Sequence, residues 1–213
     1  PDNIVSRAEM AVFISRGIGL PPVNPPTGYF TDVHGTGYFW AEGFVEAVWQ
    51  NMAWTRTTWL GRQVDTPPTD LLAYQELIAA CRPDWVIETG TGNGGRSLFL
   101  ASVCETLGHG CVVSIDAELR EGLAEHPRLR YVEGLAHDPS TVAAVREIVA
   151  DGAAFVVLGS RANQADTVAQ FEAFASAVPV GSFVVVADTV VNGHPVWTGF
   201  GPGPGEAVKA ILR

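Results

Sequence analysis

The hydrophobic pattern of the chain changes character near residue 54. Before that point, Met10, Phe13 and Ile14 recur at helical spacing within residues 6–16, with Ser6 as N-cap and Glu9 completing a capping box. A Pro/Gly/Asn loop at 19–28 follows, and Phe44, Val45 and Val48 then mark a second short helix over 40–49. From residue 54 onward, helix and strand patterns alternate. Leu71, Tyr74, Leu77 and Ile78 share one side of a helix over 70–80. Short apolar segments at 85–88, 112–116, 129–132, 154–158 and 183–187 read as strands. Helical stretches are predicted between them at 95–107, 118–125, 140–150 and 164–177, with a last one at 206–212. Strands that are apolar throughout and separated by amphipathic helices predict a parallel sheet covered on both faces. The expected fold is therefore a Rossmann-like, doubly wound α/β domain over 54–213, carrying a short helical segment at 1–53.

Composition narrows the functional classes. With 47% hydrophobic and 17% charged residues the chain has the balance of a packed globular protein. A length of 213 residues suits one domain with a small appendage. The net charge of -10, with no clustering of basic residues along the sequence, argues against a nucleic-acid partner. No apolar run reaches the length of a membrane span, and the N-terminus lacks the pattern of an export signal. A soluble, cytoplasmic protein without a membrane partner is expected. Cys81, Cys104 and Cys111 show no Cys-x-x-Cys spacing and cannot all pair within one chain, so a reducing compartment and packing roles are expected.

The segment Glu88-Thr-Gly-Thr-Gly-Asn-Gly-Gly95 carries the clearest chemistry. It follows the first strand of the domain and leads into a helix. Its glycines let the backbone turn sharply and approach a ligand, and the helix start offers free N–H groups. A dinucleotide would call for Gly-x-Gly-x-x-Gly. Here Gly90, Gly92 and Gly94 run Gly-x-Gly-x-Gly, which resembles motif I of S-adenosylmethionine-dependent methyltransferases. Asp116 closes the second strand, where a carboxylate accepts hydrogen bonds from both ribose hydroxyls. The expected cofactor-binding residues are Glu88, Gly90, Thr91, Gly92, Gly94, Gly95 and Asp116, and the expected cofactor is S-adenosylmethionine.

A wider resemblance covers nearly everything after residue 56. Thr57-Thr-Trp-Leu-Gly61, Pro68-Thr-Asp-Leu71, Tyr74-Gln-Glu76, the strand-and-loop segment at 82–91, Gly108-His-Gly110, Asn192-Gly-His-Pro-Val196 and Gly201-Pro-Gly-Pro204 resemble the cephalosporin hydroxylase and rhamnosyl O-methyltransferase family. The resemblance implies a methyltransferase fold and methyl transfer to a hydroxyl of a sugar or antibiotic-like small molecule. It also implies a Mg²⁺ site built from an Asp after the fourth strand and a Glu-Asp pair after the fifth. Those positions read Gly159, Ala187 and Asp188. Asp188 is left as the sole candidate metal ligand, too little to hold a magnesium ion in octahedral oxygen geometry, so Mg²⁺ dependence is doubtful.

His194, in the loop after the fifth strand, is the expected general base, with Asp188 orienting it; the alternative is a histidine that braces a turn before Pro195. Arg161 stands either in place of the metal's charge or as a solvated loop residue. The Gly-Pro run at 201–205 faces the substrate or merely connects. Methyltransferases of this class add two further strands beyond the last helix, and these are absent here; the bare sheet edge makes a homodimer an expectation.

The N-terminal stretch has its own resemblance. Ser6-Arg-Ala-Glu-Met-Ala-Val-Phe13, the Pro-Pro loop, Phe30-Thr-Asp-Val33 and the Trp-containing helix are similar to an S-layer homology repeat, joining the end of one repeat to the start of the next. That resemblance implies cell-wall glycan as a partner and the cell surface as a location, against the plainer reading of helices packed on the main domain. The leading function is thus an S-adenosylmethionine-dependent O-methyltransferase of a small molecule. The alternatives are a relative that keeps the pocket without the chemistry, and a surface-binding module.

Overall fold

In a computed structural model of the protein, residues 51–159, 162–192, 197 and 199–213 are described. The helices expected at 6–16 and 40–49, and with them the S-layer-like segment, lie outside these residues, as do Arg161 and His194. The described chain begins with a 3-10 turn at Ala53–Arg56 and a small antiparallel hairpin, β1 (Thr58–Trp59) and β2 (Arg62–Gln63). Then follow α1 (Pro68–Cys81), β3 (Trp85–Thr89), α2 (Gly95–Thr106), β4 (Cys111–Asp116), β5 (Leu129–Glu133), α3 (Pro139–Val149), β6 (Ala154–Leu158), α4 (Gln164–Phe174), β7 (Val184–Val186) and α5 (Pro204–Ile211).

All five apolar segments of the sequence form strands, paired in parallel in the order β5-β4-β3-β6-β7. The order reverses at β3: the chain builds outward through β4 and β5, then crosses back to lay β6 and β7 on the other side. Loops leaving the carboxyl ends of β3 and β6 diverge at this point, and the crevice between them is where ligands of open α/β sheets bind.

The period-2 alternation of each strand sends side chains to opposite faces. Val86, Val112, Phe155 and Val157 pack against Leu71, Tyr74 and Ile78 of α1 and Leu100 and Cys104 of α2. Ile87, Val113, Ile115, Val156 and Leu158 pack against Val145 and Val149 of α3 and Phe174 of α4. Two cores sandwich one sheet, which explains why its central strands β3, β4 and β6 are mostly apolar on both faces. Burial pushes the Cys104 thiol up to about 11, so it is protonated and inert at neutral pH. All three cysteines are free.

Two elements differ from expectation. The stretch 118–125 is irregular rather than helical. Gly122 takes φ 71, a left-handed turn that a helix cannot contain, and its carbonyl accepts from Arg62 Nη1 at 2.7 Å. The carbonyl of Ala124 accepts from the Tyr131 hydroxyl at 2.8 Å. These bonds tie the stretch to the hairpin and to β5 along its irregular course. The second difference is the β1–β2 hairpin, which packs over the start of α2. An ideal Cβ on Gly95 would lie 2.2 Å from the carbonyl oxygen of Gln63. Gly95→Ala is therefore expected to cost about 1–3 kcal/mol by overpacking against rigid backbone. A urea midpoint equal to that of the unaltered protein would show that the hairpin is not held there. No helix among the described residues is long and apolar enough to cross a membrane.

Candidate active site

The glycine-rich loop leaves β3 with Gly90, Gly92 and Gly94 at φ 82, 55 and 73, and α2 begins at Gly95. These left-handed conformations fold the loop back toward the end of β4, where the backbone N–H of Gly92 donates to Asp116 Oδ2 at 2.9 Å. Asp116 is thereby fixed at the mouth of the crevice.

Two cavities meet at Gly90 and Asp116. The larger, about 420 Å³, lies between the end of β4, the loop after β5 and the start of α4, and Ile115, Gly134, His137, Asn163, Gln170 and Phe200 help to line it. Asn163 is held at its rim as the N-cap of α4, accepting from the Asp166 N–H at 2.9 Å. The smaller, about 200 Å³, is bounded by Asp65, Thr91, Gly92, Arg96, Gly159 and Asp188. Asp188 continues into a third cavity of about 180 Å³ between α1 and β7, beside Tyr74, Leu77 and Val186. Burial pushes the pKa of the Tyr74 phenol well above its ordinary value, so it stays protonated.

The residues expected from the sequence divide into two groups. Gly90, Thr91, Gly92, Asp116 and Asp188 line the cavities. Glu88, Gly94 and Gly95 sit behind them. Glu88 is fully buried, and its carboxylate accepts from Arg96 Nε at 2.5 Å, from Ser114 Oγ at 2.6 Å and from Ser97 Oγ. It anchors the base of the loop. A Cβ on Gly94 would meet the Leu123 side chain at 2.8 Å, and Gly95 is covered by the hairpin. The Thr91 hydroxyl is turned inward to Ser114 Oγ at 2.7 Å, leaving its backbone to face the crevice.

Arg96, His137 and Asp65 escaped the sequence reading. The Arg96 guanidinium is buried and also donates through Nη2 to the carbonyls of Thr89 and Gly90, both at 3.0 Å. Burial opposes its charge, but the Glu88 carboxylate and the hydrogen bond to it outweigh burial and raise the guanidinium pKa further. One arginine in the otherwise apolar opening of α2 was the available signal. Asp65, just after the hairpin, accepts from Asn93 Nδ2 at 2.5 Å and from Gln63 Nε2 at 2.6 Å, tying the hairpin to the glycine loop.

The arrangement fits a nucleoside cofactor. The larger cavity falls within the size range of cofactor sites, a carboxylate stands at its mouth, and His137 and Asn163 are among its lining residues. The arrangement does not fit a divalent ion: among the described residues no group of three or more His, Cys, Asp or Glu side chains converges, and Gly159 and Ala187 offer no side-chain oxygen.

Comparison with known proteins agrees with this reading of the fold. Residues 51–213 match the rhamnosyl O-methyltransferase/CmcI family. The rhamnosyl O-methyltransferase of Mycobacterium tuberculosis is 30% identical over 176 residues, covering 80% of this chain and 72% of that protein. A structure of CmcI with magnesium and S-adenosylmethionine has a TM-score of 0.56 at 17% identity, over 99% of this chain and 87% of that one. The calicheamicin methyltransferase structure has a TM-score of 0.53 at 14% identity, over 100% and 86%. With its family match extending from the first described residue to the last, the chain belongs to the rhamnosyl O-methyltransferase/CmcI family.

Proposed function

We propose that the protein transfers a methyl group from S-adenosylmethionine to a hydroxyl of a small molecule, a sugar or an antibiotic-like compound. The observation that carries this reading is the junction at Asp116: a strand-end carboxylate held by the glycine loop, opening on one side to the larger cavity and on the other to Asp188. Asp116 accepts hydrogen bonds from the ribose hydroxyls. The larger cavity, lined by Ile115, His137 and Asn163, would take the base, and the backbone at 90–92 borders both cavities. When bound, the cofactor supplies an electrophilic methyl group.

The acceptor enters from the cavity between α1 and β7, which is polar at Asp70, Tyr74 and Asp188 and apolar at Leu77 and Val185, as suits a glycosylated or hydroxylated small molecule. Its hydroxyl would lose a proton as the new carbon–oxygen bond replaces the sulfur–methyl bond, with S-adenosylhomocysteine as the leaving group. Asp188 stands at that junction, and His194, six residues further along the chain, is the base we assign to take the proton. The relatives named for rhamnose and calicheamicin support this acceptor class.

The start of the family match at residue 51 supports a methyltransferase domain over 54–213, preceded by a separate segment at 1–53. Three free cysteines support the cytoplasm as its compartment, and the edge position of β7 supports pairing with a second copy. The test is calorimetric titration with S-adenosylhomocysteine, followed by transfer of label from methyl-labelled S-adenosylmethionine to a panel of rhamnosides. Saturable binding and an O-methylated sugar are expected. No binding of either cofactor form would sink the proposal.

A further inference from the structure

Gly159, the residue that follows β6, occupies the position where the family resemblance calls for a metal-binding aspartate. The structure shows what stands there instead. An ideal Cβ on Gly159 would lie 2.4 Å from Arg96 Nη1, 2.7 Å from Nη2 and 2.8 Å from Cζ. No side chain can be built at 159 without displacing the guanidinium. Arg96 Nε is taken by Glu88, and Nη2 by the carbonyls of Thr89 and Gly90, with the Gly159 carbonyl at 3.5 Å. Nη1 makes none of these bonds, and Arg96 lines the cavity that also holds Gly90, Asp116 and Asp188. The Asp188 carboxylate adds to the charges that favour the Arg96 guanidinium, after Glu88 and Tyr74.

We infer that Arg96 takes the place of the divalent cation: its guanidinium, admitted beside Gly159 because that residue has no side chain, is a fixed positive charge between the ends of β3 and β6 and a counter-charge to Asp188, in a cavity whose rim also carries Arg120. Three features of the sequence then have one explanation. Loss of the aspartate at 159 makes room for Arg96. Loss of the acid at 187 removes a charge that one guanidinium, already paired with Glu88, could not balance alone. Asp188 is retained because it still has a cation to face. A Mg²⁺ ion set against Asp188 would have a fixed cation for a neighbour and too few oxygens to complete its shell. Cofactor binding is accordingly independent of metal.

The inference rests on the methyltransferase reading only for the location of the site, and the two are scored apart. Mn²⁺ stands in for Mg²⁺ because its paramagnetic signal reports binding without any reaction. In the presence of S-adenosylhomocysteine, the unaltered protein is expected to take up no stoichiometric Mn²⁺, and its affinity for S-adenosylhomocysteine should agree within about twofold in chelator and in millimolar Mg²⁺. Gly159→Asp alone should also bind no Mn²⁺, since the new carboxylate pairs with Arg96. The triple variant Glu88→Gln, Arg96→Ser, Gly159→Asp opens the space and adds one carboxylate to that of Asp188 without leaving the Glu88 charge stranded, and it should gain one Mn²⁺ site. Saturable Mn²⁺ binding by the unaltered protein or by Gly159→Asp overturns the inference. So does a folded triple variant that takes up none. If the triple variant does not fold, the first two arms decide. Absence of S-adenosylhomocysteine binding, by contrast, overturns the methyltransferase reading itself.

Discussion

Asp116→Ala is expected to weaken S-adenosylhomocysteine binding about 100-fold while leaving the protein folded. Asp116 sits at the carboxyl end of β4, accepts the Gly92 N–H at 2.9 Å and lines both cofactor cavities. A hydrogen bond to a charged acceptor is worth about 1.5–3 kcal/mol. Two ribose hydroxyls on one carboxylate therefore put about 3 kcal/mol at stake, and each 1.4 kcal/mol is a factor of about ten in affinity. The alanine variant also frees the Gly92 N–H, so the loop loses its tie to β4 and some order before any ligand arrives. Asp116→Asn keeps an acceptor oxygen at the same place without the charge, and its loss should be nearer tenfold. Calorimetric titration of both variants, with circular dichroism as the control for folding, reads the result. Equal affinity in Asp116→Ala and the unaltered protein would remove Asp116 from the cofactor site and the cavity assignment with it.

Why Asp116 was legible and other residues were not follows from the range of the interactions that place them. A buried parallel strand announces itself by a local run of apolar residues, and all five were readable for that reason. An acid at the end of such a strand is placed by the strand alone, which located both Glu88 and Asp116. The sequence cannot tell which of the two faces the ligand. That depends on Arg96, Ser97 and Ser114 closing around Glu88, contacts between residues up to 26 positions apart. The β1–β2 hairpin has strands of two residues each, too short to show a period. The 118–125 stretch carries helix-forming residues, yet Gly122 and bonds to Arg62 and Tyr131 hold it irregular. His137 reads as an ordinary loop histidine, and only the packing of the β5–α3 loop against α4 makes it part of a cavity wall. The reasons for the glycines also separate only in three dimensions: Gly92 is demanded by φ, Gly95 and Gly159 by what lies against them.

The largest stability effect is expected at the ion pair beneath the loop. Arg96 and Glu88 are both buried, with side chains 7% and 0% exposed, and their closest approach is 2.5 Å. Arg96→Met removes the charge but keeps a long apolar stem, leaving the Glu88 carboxylate in a low-dielectric interior with only two hydroxyl donors, Ser97 and Ser114. Breaking one side of such a pair costs about 3–5 kcal/mol, which for a domain of this size is a fall in Tm of about 10 °C. Glu88→Gln in the Arg96→Met background removes the stranded charge and retains an amide that still reaches both serines. The double variant should therefore recover a large part of the loss, because a neutral pair of similar volume is often tolerated where a broken ion pair is not. A thermodynamic cycle over the four proteins measures the coupling. If Arg96→Met and the double variant unfold at the same temperature, Glu88 carries no buried charge in the folded state, and the guanidinium owes its position to the carbonyls of Thr89 and Gly90 instead. If the coupling is large, the same contact that stabilises the domain also fixes the guanidinium against Gly159. The cost of removing the cation is then structural as well as chemical, which is why an arginine built into the second helix can serve where an exchangeable ion would leave the site.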